Sequence, residues 1–336
     1  MADDTDGTLF LTSEECAGLA TPAEYVAAVR EGYRQRGEGA PAALRTKLMN
    51  EEPPGMFTGY SAILPETGAM GGYMYAAGFG RQDAQFVLSL FDAASGALLA
   101  LLDGASFNPF KTGATGATGV DALAREDATT LAIIGSGAQA RGQLRATATV
   151  REFETVSIYS PTTDHRESFA ASMNKELSAS VAAVASSAAA VEDADVVITA
   201  TNSSEPVFDG DVLEDGAHVT AMGQYDDVKH ELDATTIERA KYVPDLRERV
   251  MNDAGSFINA VEEGVVSEDD VHGELGEVVA GEVPGRESDD EITVFDSGGT
   301  GIETVAAAYM LYEKAREQDL GTELEFALAS EALTGE

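Results

Sequence analysis

The sequence predicts an α/β protein: a doubly wound parallel sheet joined to a smaller α+β unit. Three observations predict it. A short apolar run, residues 130–134, ends in Gly135-Ser136-Gly137 and gives way to a helical segment. From there to Phe295, strand-like runs alternate with helical ones, as in a parallel sheet with crossover helices. Ahead of it, residues 44–103 read as consecutive short strands broken by Gly and Pro, the texture of a mostly antiparallel sheet. The 336 residues suit about two domains.

Each element has a local reason. Residues 12–38 read as one or two helices: Thr21-Pro22-Ala23-Glu24 supplies an N-cap, a first-turn proline and an acid, and Tyr25, Val26, Val29 and Tyr33 follow at helical spacing. Strands are expected at 44–49, 55–63, 71–77, 85–92 and 97–103, the last two joined as a hairpin near Ala94-Ser95-Gly96. A helix of small residues spans 112–125. The parallel strands are expected at 130–134, 156–159, 196–200, 218–222, 242–245 and 292–295. A last amphipathic helix, 302–318, follows and is expected to pack back on the first unit. The acidic run Asp289-Asp290-Glu291 reads as a solvated loop.

Charge narrows the function classes. Asp and Glu number 59 against 21 Lys and Arg, a net −38. That field repels nucleic acid and anionic lipid, so neither is expected as a partner. An acidic chain with fifteen arginines and only six lysines reads as adapted to high salt, of the haloarchaeal kind. An acidic mesophilic protein is the other reading. No apolar run approaches the roughly 20 residues of a membrane span. The start, Met1-Ala2-Asp3-Asp4, is acidic where a signal peptide is basic, which points to the cytoplasm. Cys16 is the sole cysteine, and His165, His218 and His272 lack metal-ligand spacing, so no metal is expected.

The sharpest motif is the glycine loop, which fits G-x-G-x-x-G/A with Ala140 in last place. Gly135 makes the tight turn, Gly137 lets a pyrophosphate approach, and Ala140 allows close packing of helix on strand. The helix N-terminus from Ala138 and Gln139 offers free N–H groups to the phosphates. This is the Rossmann arrangement, in its proper strand–helix context. No acid ends the second strand, where Ser160 stands. Ser160, Thr162 and Arg166 would accommodate a 2′-phosphate, and Arg141 would reach a phosphate. NADP is therefore favoured over NAD, although Asp164 leaves a ribose contact open. The loop Thr201-Asn202-Ser203-Ser204 follows a strand's carboxyl end, where ligands bind in such sheets.

The ordered set of motifs resembles the ornithine cyclodeaminase/mu-crystallin family. The residues carrying it are Ala42–Arg45, Asn108–Ala114, Gly135–Ala140, Gly216–Val219 with Glu231-Leu232-Asp233, Glu274–Glu277, and Thr293–Gly299. The resemblance implies a homodimer. Residues 1–113 with 303–336 would form the substrate and dimerisation domain, and 114–302 the NAD(P) domain. It adds Met222, Gly223, Ser297 and Gly299 to the cofactor residues. It implies hydride transfer at the carbon bearing an α-amino or α-imino group. The activity would be imine or 2-oxo acid reduction, of the amino-acid dehydrogenase type. Ornithine cyclodeaminase activity and a non-catalytic NADPH-binding role are alternatives.

Departures from the family pattern direct attention to particular residues. Lys111 stands where the family has an arginine that holds the substrate carboxylate; charge is kept and the bidentate fork lost. The strand Gly71-Gly72-Tyr73-Met74-Tyr75 lacks the family's catalytic lysine. Lys47 is a substitute, since Arg45 and Lys47 face one side of a strand. Gly223-Gln224-Tyr225 places Asp226 one residue late, and Thr304 replaces a late aspartate. Arg45, Lys111, Tyr73 and Tyr75 are expected at the substrate, and Lys47, Lys111, Tyr225 and Asp226 in the chemistry. His230 beside Glu231 is a weaker relay candidate.

Overall fold

The computed structural model describes residues 7–80, 84–223 and 225–329. The acidic start at Met1–Asp4 and Gln224 lie outside them. Strand β1 (Thr8–Leu11) leads through α1 (Ser13–Cys16) to α2 (Pro22–Gly37). Helix α2 starts on a capping box: the Thr21 hydroxyl accepts from Glu24 N and the Glu24 carboxylate accepts from Thr21 N at 2.7 Å. Its Tyr25, Val26, Val29 and Tyr33 are buried. A meander follows: β2 (Thr46–Glu51), β3 (Pro54–Leu64), β4 (Ala69–Ala77), β5 (Gln85–Asp92) and β6 (Leu98–Asp103).

Alternation decides the two faces of this sheet. Lys47, Thr58, Tyr60, Tyr73, Tyr75 and Leu88 point inward, and Tyr60 sits directly opposite Tyr73. Leu48, Phe57, Met74 and Val87 point outward and stay exposed.

Helix α3 (Asn108–Leu123) connects to the second sheet. It starts four residues earlier than the sequence suggests, because Asn108 and Pro109 open its first turn. The next elements are β7 (Thr130–Ile134), α4 (Ala138–Thr147), β8 (Thr155–Tyr159), α5 (Thr163–Met173), β9 (Ser180–Ala183), α6 (Ser187–Val191), β10 (Val196–Thr199) and β11 (His218–Ala221). Then come α7 (Ala234–Arg239), β12 (Ala240–Pro244), α8 (Val250–Asp253), α9 (Gly255–Glu262), α10 (Leu275–Ala280) and β13 (Ile292–Asp296). The strands are parallel, in the order β12-β13-β11-β10-β7-β8-β9. The order reverses at β7, which puts a crevice at the carboxyl ends of β7 and β10. Every residue of β10, β11 and β13 is buried, as central parallel strands require.

Helices α3 and α4 pack backbone to backbone. A Cβ on Gly113 would lie 2.3 Å from Gly142 O, which explains the run of small residues. The last helix, α11 (Gly301–Glu317), returns to the first sheet and packs on α2, β3 and β4. It ends in β14 (Thr322–Leu324), which pairs with β1 and completes the order β14-β1-β6-β5-β4-β3-β2. The short strands β1, β9 and β14 were not expected, and β1 pairs parallel with β6 in an otherwise antiparallel sheet. Asp289 and Asp290 are exposed, and Glu291 pairs with Lys241 at 2.8 Å. Among the described residues no helix is long and apolar enough to cross a membrane.

Candidate active site

The glycine loop lies at the carboxyl end of β7. Gly135 has φ +120°, and a Cβ there would meet Ala200 O at 2.3 Å, so only glycine fits the turn. Gly137 caps α4 without a side-chain hydrogen bond, and a Cβ there would meet no atom within 4 Å. The first turn of α4 therefore faces open space with its N–H groups free. Beside it Gln139 Oε1 is buried without a hydrogen-bond partner. An uncapped helix start, open room above Gly137 and an orphaned amide oxygen fit a dinucleotide. Ser136 Oγ donates to Ser160 Oγ at 3.0 Å, tying the loop to the end of β8.

Not every expected phosphate ligand faces the crevice. The Arg141 guanidinium lies 4.9 Å over the Phe169 ring, toward α5. Arg166 donates to Ser160 O at 2.9 Å, and Thr162 is exposed at the start of α5. Across the crevice, Glu231 organises the loops after β10 and β11. It accepts from Thr199 Oγ1 at 2.9 Å, Thr201 N at 2.7 Å and Gly223 N at 3.0 Å. Burial pushes its carboxyl above the usual range, against these hydrogen bonds. Ser203 N bonds to Thr201 Oγ1, Asn202 is exposed, and Met222 is buried.

The cations expected at the substrate form a second cluster. Arg45, just ahead of β2, lies between the Tyr60 and Tyr225 rings at 4.5 and 4.4 Å. It donates to Tyr75 Oη at 2.8 Å, to Gly298 O at 2.6 Å and to Gly299 O at 3.3 Å. The loop after β13, at the carboxyl edge of the second sheet, thus reaches the first sheet. Lys47 faces the same way as Arg45 and bonds to Tyr225 O and to Asp253 at 3.2 Å. Lys111 is 2% exposed and pairs with Glu303, itself 1% exposed, at 3.3 Å. Its Nζ lies 3.5 Å from the Tyr60 hydroxyl. Burial works against the Lys111 ammonium, but Tyr60 and Glu303 outweigh it and raise its pKa. Glu303 also closes a capping box, accepting from Thr300 N at 2.6 Å and Thr300 Oγ1 at 2.5 Å.

A buried ionic chain stands behind the cations. Arg249 bonds Asp245 at 2.6 Å, Asp253 at 3.0 Å and Asp296. Asp245 also accepts from Ser297 Oγ, Gly298 N and Gly299 N at 2.8, 2.9 and 3.1 Å, fixing the carbonyls that meet Arg45. The second oxygen of Asp253 holds Lys47. Lys47 is thus one carboxylate removed from Arg249, and Arg45 is joined to it through the Ser297–Gly299 loop and Asp245.

Other expected residues turn elsewhere. The Tyr73 hydroxyl donates to Gly104 O at 2.9 Å inside the core. Asp226 accepts from Val228 N and Lys229 N at 3.0 Å each, closing its own loop. His230 meets Val228 O, and Thr304 donates to Thr300 O within α11. Sequence reasoning did not select Tyr60, Glu231, Asp245, Arg249, Asp253 or Glu303 for the site. The strand alternation around Tyr60 and the T-x-x-E pattern at Thr300–Glu303 were the available signals.

Residues 8–319 match the ornithine cyclodeaminase/mu-crystallin family. The chain belongs to that family. It is 36% identical over 248 residues to Delta(1)-pyrroline-2-carboxylate reductase of Bacillus cereus, covering 74% of this chain and 76% of the relative. The solved structure of the Thermococcus litoralis Delta(1)-pyrroline-2-carboxylate reductase with NADH and L-proline superposes with a TM-score of 0.89. Its identity is 33%, over 94% of this chain and 100% of that one. An archaeal alanine dehydrogenase dimer with bound NAD gives 0.89 at 31% identity, over 95% and 99%.

Proposed function

We propose that the protein is an NAD(P)H-dependent oxidoreductase that reduces an α-imino or 2-oxo acid, in the reverse direction an amino-acid dehydrogenase. The observation that carries this is Arg45 bonded to the Gly298 and Gly299 carbonyls after β13, on the carboxyl edge of the sheet bearing the open glycine cradle, with Lys47 sharing its Tyr225 ring and Lys111 its Tyr60 ring. Two anions, a pyrophosphate and a carboxylate, suit these two places. Gly135 to Gln139 would hold the pyrophosphate. Thr201, Asn202, Ser203, Met222, Gly223, Ser297 and Gly299 would line the way to the substrate. A bound dinucleotide supplies the hydride. Arg45 takes the substrate carboxylate in place of the Gly298 and Gly299 carbonyls, and Tyr60 and Tyr225 hold its plane. The absent acid after β8, with Ser160, Thr162 and Arg166 in its place, favours NADPH.

Cyclisation of ornithine fits less well, because Asp226 is spent on Val228 N and Lys229 N. Residues 1–113 with 303–336 make the substrate and dimerisation domain in this reading, and 114–302 the cofactor domain. Two copies would meet on the outer face of the first sheet, where Leu48, Phe57, Met74 and Val87 are exposed together. The experiment is a panel of 2-oxo acids with amines, and of cyclic imino acids, in high salt, followed by NADH and NADPH absorbance. Cofactor oxidation with at least one pair supports the reading. Ammonia and proline from ornithine without net cofactor change would replace it with cyclodeaminase activity, and no turnover with a bound dinucleotide would make it a binding protein.

A further inference from the structure

We propose that the Tyr60 hydroxyl is the proton donor of the reduction and that Lys111 stabilises the phenolate it leaves. The inference rests on the oxidoreductase reading above. The phenols around the cations differ in what their hydroxyls do. Tyr73 donates to Gly104 O at 2.9 Å. Tyr33 lies against Glu303 at 3.5 Å. Tyr75 is bonded to Arg45 and to Tyr225. Among the described residues, the one polar contact of the Tyr60 hydroxyl is Lys111 Nζ at 3.5 Å. An ammonium has no lone pair to accept with. The phenolic proton of Tyr60 is therefore uncommitted, and a fixed positive charge stands beside the oxygen that would lose it.

The location fits the step. The Tyr60 ring lies 4.5 Å under the Arg45 guanidinium, so a carboxylate on Arg45 sits next to this ring. The Tyr60 hydroxyl is also 3.9 Å from where a Cβ on Gly299 would stand, so it faces the loop at the carboxyl edge of the cofactor sheet. The charged and titratable groups that face it are Lys111 from α3, Glu303 from α11, Arg45 ahead of β2, and Tyr73 and Tyr75 from β4. Lys47, the other candidate donor, is held by Asp253 and Tyr225 O. In the reduction of a cyclic imine, the C=N π pair moves to nitrogen as the carbon receives hydride. The Tyr60 O–H bond breaks and an N–H bond forms. The phenolate remains against Lys111, whose own charge Glu303 balances. A solvent proton restores the phenol after the amine leaves.

The test compares wild type with Tyr60→Phe on two substrates in high salt. One is a cyclic imino acid. The other is its N-methyl iminium counterpart, which carries a permanent charge and needs no proton on nitrogen. In Tyr60→Phe, kcat on the imine should fall about 100-fold or more, with KM unchanged. Turnover of the iminium, and dinucleotide affinity by fluorescence titration, should stay at the wild-type level. Tyr60→His, which keeps a transferable proton, should recover part of the imine activity. Equal loss on both substrates, or imine activity retained in Tyr60→Phe, overturns the assignment and leaves the oxidoreductase reading standing. A wild-type protein that turns over neither of these nor any substrate of the wider panel overturns both. If circular dichroism shows that Tyr60→Phe does not fold, the same two-substrate contrast in Tyr60→Gln decides.

Discussion

Removing one partner of the Lys111–Glu303 pair should destabilise the protein strongly and unequally. Both side chains are almost fully buried, so the survivor is left as a charge in a low-dielectric interior. That situation costs about 3–5 kcal/mol. Lys111→Met leaves Glu303 with the Thr300 N and Thr300 Oγ1 donors of its capping box, so the cost falls toward about 3 kcal/mol. Glu303→Leu leaves Lys111, among the described residues, with the Tyr60 hydroxyl at 3.5 Å and the faces of the Tyr60 and Tyr73 rings, and strips Thr300 N and Thr300 Oγ1 of their acceptor, about another 1 kcal/mol. It should reach about 5 kcal/mol or more. The double variant buries no unpaired charge and should be more stable than Glu303→Leu alone. Urea unfolding at fixed salt, read as midpoint and extrapolated free energy, measures all three. The differences should persist between low and high salt, because a buried pair is weakly screened. Strict additivity of the two single losses, or a wild-type midpoint for Lys111→Met, would refute the reasoning. The sign with pH also follows. The Lys111 pKa is raised above 10.5, so its contribution is complete below that pH and is lost as pH climbs through the raised value.

Three more outcomes are expected. Gly137→Ala meets no atom of the protein, so its melting temperature should hold or rise slightly, while dinucleotide affinity by fluorescence titration falls; equal affinity would show that nothing approaches Gly137. Arg249→Met strands Asp245, Asp253 and Asp296 and should cost at least about 3–5 kcal/mol by thermal or urea unfolding, and Arg249→Lys should not restore it, since one ammonium cannot serve three carboxylates as a fork does. His218 is buried between Thr220 and Thr293, and desolvation lowers its pKa to about 3. The contribution of His218 to stability should therefore be complete above pH 6.5 and fall by about 1.4 kcal/mol per pH unit below it, toward pH 3; His218→Asn should flatten that slope, and an unchanged slope would show the group is not responsible.

The second sheet was readable because its central strands are continuous apolar runs bounded by turn residues, and β7 runs from Thr130 to Ile134 as expected. The meander was readable from alternation. Strands β1, β9 and β14 were not, because three or four residues carry too short a pattern and their pairing is decided by distant partners such as Ala100 and Leu324. The site divides the same way. The glycine loop is local, and its geometry follows from adjacent residues. Glu303 meets Lys111 across 192 positions, and no spacing rule announces that. Tyr60 and Tyr73 are cross-strand neighbours with the same inward orientation. Only the carbonyl of Gly104, supplied by the turn after β6, distinguishes the committed hydroxyl from the uncommitted one.

The segment Ser297–Thr300 is also where the chain leaves one sheet for the other. Four residues carry it from β13 to α11, with Gly299 at φ +84°. Those residues are tethered on one side by Asp245 and on the other by Arg45. The chain crosses between the sheets here and through α3, so the share of any rotation of the two sheets taken up here shifts the acceptors of Arg45. A carboxylate that draws Arg45 off those carbonyls frees the same hinge. In the proposed reading, substrate capture would thus loosen one of the links between the two sheets.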